Sequence, residues 1–185
     1  MKRLIGLVFV AFSSIGAQTV SSRPYFGLEM GPVFTREQPG RSSTGFGAGV
    51  IAGHEFRQTI SGELRLRFDY FEPGTVFISP GGCLGQLPCE LPRAASMSVG
   101  SLAADGLIGD PTSLPGPLGA IGLGVRHVDI SPTGGGGFEP FTEFGGGLRI
   151  PIGRAVMSAE VRYQVTVGGT NGLRWTLPMT VGARF

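Results

Sequence analysis

Lysine is all but missing from this chain: Lys2 is the only one in 185 residues. Charged side chains of every kind make up 15% of the sequence, against about 25% in an ordinary soluble domain. They form no block of like sign, which argues against nucleic acid as a partner. There are two histidines and two cysteines, and no histidine lies near the cysteines, so metal binding lacks ligands. Amphipathic spacing at three and four residues is hard to find, so helices are not expected. No apolar run approaches the roughly 20 residues that a membrane-spanning helix needs. A helical membrane protein is excluded. One built from strands is not, because its signal per segment is much weaker.

Glycine, by contrast, is abundant, with 33 residues. The start of the chain is a separable unit. Lys2 and Arg3 are followed by the apolar run Leu4–Phe12 and by the small residues Ser13, Ser14, Gly16 and Ala17. This pattern predicts a secretory signal at 1–17, with cleavage after Ala17. The remainder, 18–185, is the size of one domain. It carries 13 arginines and 13 acidic residues and is formally neutral.

Alternation with a period of two recurs along that domain and predicts eight strands. They lie near 25–34, 46–56, 60–70, 96–108, 118–128, 138–150, 155–165 and 173–185. In the third, Ile60, Leu64, Leu66, Phe68 and Tyr70 oppose Ser61, Glu63, Arg65, Arg67 and Asp69. In the seventh, Met157, Ala159, Val161, Tyr163 and Val165 oppose Ser158, Glu160, Arg162 and Gln164. The eighth sets Leu173, Trp175, Leu177, Met179, Val181, Ala183 and Phe185 against Arg174, Thr176, Thr180, Gly182 and Arg184. The fourth strand is ambiguous, and Asp105 is placed on its polar face.

Several segments run to about ten residues, the length of a membrane crossing by strands, where soluble strands average about 5–6. Long connections are expected around 35–45, 72–95 and 129–137. Tight ones are expected at 57–58 and 151–154, with 109–116 intermediate. Long loops at one end and short turns at the other describe an outer-membrane barrel. Three features favour it over a soluble sandwich. Aromatic residues fall mostly near strand ends on the apolar face, as in an interfacial girdle. The polar face mixes glycine with balanced Glu and Arg and has no lysine, which suits a narrow filled interior. Closure, finally, pairs every backbone group, as lipid demands.

The stretches Phe138–Ile152, Ala159–Val165 and Leu177–Phe185 carry a resemblance of pattern. The chain resembles the small eight-stranded outer-membrane proteins of the OmpA/OmpX type. The resemblance implies an all-β, eight-stranded, antiparallel up-and-down transmembrane β-barrel. It also implies that Met179, Val181 and Phe185 form the terminal signal read by the barrel-assembly machinery. Region 93–117 departs most from the pattern.

Candidate sites are few. Cys83 and Cys89 bracket CLGQLPC in the long third connection, and in an exported chain they predict a loop disulfide. Glu63, Arg65, Arg67, Asp69, Glu143, Arg149, Glu160, Arg162 and Arg174 are expected to form a polar network that plugs the lumen. His54 and His127 are expected near strand ends on the apolar face. Some barrels of this size act on lipid A with His and Ser two residues apart. Here His127 is followed by Asp129, and Ser131 lies four away, so that chemistry is not expected. The expected protein is a monomer in outer-membrane lipid with periplasmic termini, no cofactor and no catalytic site. Its role is structural or surface interaction through extracellular loops, especially 72–93. A narrow channel for ions or small solutes is the second reading.

Overall fold

The computed structural model describes residues 23–37, 42–57, 59–76, 93–109, 116–131, 135–168 and 173–185. Residues 1–17, where a leader is expected, and Cys83 and Cys89 lie outside the described residues. Eight strands follow in chain order: β1 (Arg23–Glu37), β2 (Ser42–Arg57), β3 (Ile60–Val76), β4 (Arg93–Ile108), β5 (Gly116–Ser131), β6 (Gly135–Ile152), β7 (Ala155–Thr166) and β8 (Leu173–Arg184). Each pairs antiparallel with its neighbour in sequence, and β8 returns to β1, closing the barrel.

The strands are longer than their sequence patterns suggest, running from 12 to 18 residues. The expected long connection at 35–45 is mostly strand, and only 38–41 separate β1 from β2. Likewise only 132–134 separate β5 from β6. Composition misled here because Ser and Gly mark loops statistically, whereas this ladder pairs Thr35 with Ser43 and Val33 with Gly45. The connection between β3 and β4, residues 77–92, remains the longest.

The two faces of the wall are inverted relative to a soluble protein. Phe26, Leu28, Met30, Leu64, Leu66, Ile121, Leu123, Leu148 and Val181 point outward and are exposed. Glu63, Arg65, Arg67, Glu160 and Arg162 point inward and are buried. Such a wall is stable only where the outside is hydrocarbon, since a slip of one residue in any strand turns its charges into lipid. Strand β4 keeps Asp105 inside and Leu102 outside, as placed from the sequence. The outward aromatics depart from a simple two-ring girdle. Phe26, Phe56 and Phe185 sit at the end that holds the chain termini, but Phe68 and Phe144 fall at the middle of β3 and β6.

Closure depends on β8. The Phe185 N–H donates to the Phe26 carbonyl at 2.7 Å, and the Phe26 N–H donates back at 3.1 Å. Further along, the ladder steps from Met30 opposite Val181 to Val33 opposite Pro178 without regular pairs between them. The unpaired step on β1 is Gly31 and Pro32, and Pro32, like Pro178 opposite Val33, has no N–H to give to the ladder. A second irregularity has a larger effect. Arg36 pairs with Trp175 but Glu37 pairs with Leu173, so one residue, Arg174, is extra. This bulge inverts the alternation above it. Leu173 is buried inside and Arg174 is exposed. The sequence reading of both residues is therefore corrected.

Candidate functional site

The barrel interior holds a dense network of charge. Among the described residues, seven carboxylates (Glu29, Glu63, Asp69, Asp105, Glu139, Glu143 and Glu160) and six guanidiniums (Arg65, Arg67, Arg126, Arg149, Arg162 and Arg184) are buried. Near-parity of sign is what makes such burial tolerable, because each charge needs partners to offset its lost hydration.

Arg65 is the hub. Its guanidinium lies 3.4 Å from Glu63, 3.4 Å from Glu160, 3.6 Å from Glu29, 3.8 Å from Asp105 and 3.9 Å from Glu143. Arg162 binds Glu160 at 2.7 Å and Glu143 at 3.3 Å, with Asp105 at 3.5 Å. Arg184 clamps Glu63 at 2.8 Å and Glu160 at 2.6 Å, and it donates to Ser158 at 2.6 Å. Arg149 and the Tyr25 hydroxyl also donate to Glu63, at 3.0 and 2.8 Å. Arg67 is paired with Asp69 at 2.6 Å. Nearer the loop end, Arg126 binds Glu139 at 3.2 Å and Thr176 at 2.8 Å, and donates to Thr166.

The structure thus brings together eight of the nine residues expected in the network and leaves out Arg174. It adds Glu29, Asp105, Arg126, Glu139 and Arg184. Their signal was present, since each sits at an alternate position opposite apolar neighbours. The network is not fully satisfied: neither Asp105 oxygen has a hydrogen-bond partner, and neither does Arg149 Nε.

Above the charges, toward the end that carries the 77–92 connection, the interior turns apolar. Val33, Phe71, Met97, Val99, Val128 and Leu173 form a buried cluster with Ile130 packed against it. Phe71 is 2% exposed, and Val33 and Val128 are fully buried. An interior of Glu, Arg and Gly was expected throughout, so this cap was missed. The inward positions of β4 change from Asp105 and Ser101 to Val99 and Met97 along the strand, which was the available signal.

The remaining candidates are simpler. His54 and His127 lie on the outer face and make ring contacts with Phe56 and Phe138, at 5.3 and 4.8 Å between centroids. Asp129 and Ser131 share the outward face with His127, but no hydrogen bond joins the three. Met179, Val181 and Phe185 also face outward, beside β1 at the seam. Among the described residues, no group of three or more His, Cys, Asp or Glu has the arrangement of a metal site.

Closed antiparallel topology, an apolar exterior and a charged, filled interior together define a small eight-stranded barrel of the outer-membrane type. No protein-family model matches the chain, and no curated protein matches it in sequence. Among solved structures it is similar to Neisserial surface protein A (NspA), with a TM-score of 0.62 and 14% identity over 88% of this chain and 97% of that one. It is also similar to Ail, the attachment invasion locus protein of Yersinia pestis, solved in complex with the heparin analogue sucrose octasulfate. There the TM-score is 0.50 and the identity 15%, over 88% of this chain and 99% of that one. At such identities the likeness establishes the fold.

Proposed function

We propose that this protein is a monomeric, non-enzymatic barrel of the outer membrane that anchors its loops at the cell surface. The observation that carries this reading is the filled interior. A charged network occupies the middle of the barrel, and a buried apolar cluster closes it toward the loop end. An eight-stranded wall leaves room for side chains and little else. With no open path and no catalytic constellation among the described residues, the parts left for interaction are the connections. The 77–92 connection is the longest of them. NspA is a surface protein and Ail an attachment invasion locus protein, and both support a surface role.

In this reading the chain termini are periplasmic and the leader 1–17 exports the chain. The Cys83–Cys89 disulfide staples the long loop. Met179, Val181 and Phe185 address the closing strand to the assembly machinery. An epitope inserted between Gly85 and Gln86 tests the orientation. Antibody is expected to label intact cells, and the protein to fractionate with the outer membrane. Labelling only after the outer membrane is permeabilised, or recovery in the soluble periplasm, overturns the proposal.

A further inference from the structure

The barrel mouth opposite the 77–92 connection contains a cavity of about 190 Å³. Four arginines line it: Arg23 from the start of β1, Arg149 from β6, Arg154 from the β6–β7 turn, and Arg184 from the end of β8. The one acidic side chain in the lining is Glu55, which stands opposite Arg23 in the β1–β2 ladder. Phe185 lines the same cavity. Four positive side chains thus line the cavity against one negative, and two of the four, Arg149 and Arg184, already bind Glu63, with Arg184 also on Glu160.

These arginines are not equally occupied. Arg184 is held by Glu63, Glu160 and Ser158. Arg149 spends one nitrogen on Glu63, at 3.0 Å. Its Nε is buried with no hydrogen-bond partner, although the residue is only 3% exposed. A buried donor left unmade costs its full hydration, so such groups commonly mark a missing acceptor. Arg154 is exposed and has no ion-pair partner among the described residues.

We propose that this mouth is a binding site for a phosphate group, either free or carried as a lipid headgroup. The guanidiniums approach from three strands and one turn, so acceptors are needed in several directions. A tetrahedral phosphate presents oxygens that way, whereas a planar carboxylate presents two in one plane. Arg184, locked by the network, supplies a fixed wall, Arg154 supplies an open donor from the turn, and Arg149 Nε is a buried donor still unspent behind them. The site rests on the barrel and its charges, and it stands whether or not the surface role proposed above is correct.

The test uses the full mature chain, folded in maltoside micelles without phosphate, with arginine Nε labelled for NMR. One arm titrates inorganic phosphate and the other dihexanoyl-phosphatidylglycerol, each against sodium chloride of equal ionic strength. A saturable shift in buried Nε–Hε signals is expected, and Arg154→Gln is expected to weaken it by about tenfold. Arg154 lies in an exposed turn, and unchanged gel migration of the variant confirms that it folds. Saturation by the lipid alone supports the site and assigns a headgroup. Saturation by inorganic phosphate alone supports it and assigns the free anion. No saturable shift in either arm overturns the proposal, as does equal affinity in wild type, Arg154→Gln and Arg23→Gln.

Discussion

Glu63 and Arg184 are 121 residues apart in the chain, and Arg184 Nε lies 2.8 Å from Glu63 Oε1. The first belongs to β3 and the second to the end of β8. Their contact crosses the lumen, so it forms only when the barrel is shut. Removing Arg184 takes away one of the cations that offset the buried charges of Glu63 and Glu160. Arg184→Met is expected to cost about 3 kcal/mol, and Glu63→Gln combined with it to recover part of that loss. Denaturant unfolding in lipid vesicles measures both. Strict additivity of the two changes would mean that the contact contributes nothing.

The direction of each side chain can be tested on neighbouring residues. Leu66 faces outward and Arg67, one residue on, faces inward. Leu66→Arg places a charge toward the hydrocarbon near the middle of β3. Its expected cost is about 2–4 kcal/mol, read as a lower folded fraction on unheated gels. An unchanged folded fraction would place that face in water.

At the seam, Gly31 lies against β8 so closely that an added Cβ would overlap the Met179 carbonyl oxygen. Gly106 has no such neighbour, its nearest atom being the Ile121 carbonyl oxygen at 3.8 Å. Gly31→Ala is therefore expected to weaken closure and lower the thermal unfolding midpoint, while Gly106→Ala is expected to fold as wild type. Equal midpoints for the two variants would contradict the close approach of β1 and β8.

The apolar cap makes a separate stability prediction. Phe71 is packed among Val33, Met97, Val99, Val128 and Leu173. Phe71→Ala leaves a cavity there and is expected to cost about 3–5 kcal/mol. A similar truncation of outward Phe68, 58% exposed, removes no interior packing and is expected to cost much less. Denaturant midpoints compare them, and a reversed order would mean that the interior is not packed at that level.

Much of this fold was legible because Ser61–Tyr70 of β3 and Met157–Val165 of β7 alternate without exception. Leu64, Leu66 and Phe68 can all face lipid only if Glu63, Arg65 and Arg67 all face in. Asp105 could be placed by the same rule. The rule failed where the backbone gains a residue. Nothing in LRWT announces the bulge that turns Leu173 in and Arg174 out, because its cause is the pairing of β8 with β1 at Arg36 and Glu37. The apolar cap was hidden for a related reason. Val33, Met97, Val128 and Leu173 come from four strands, and period-two patterns say which face a residue takes but not its height along the barrel. Partner choice was equally hidden, since alternation cannot tell that Arg65 would gather carboxylates from β1, β4, β6 and β7.

The most direct test of a filled, sealed barrel is electrical. The folded protein is reconstituted into planar lipid bilayers, with insertion confirmed by protease protection, and current is recorded under applied voltage. A flat baseline without discrete steps is predicted, because among the described residues the charged network and the Phe71 cap fill the lumen. Reproducible single-channel steps from the wild-type protein would contradict the sealed interior and make the chain a pore.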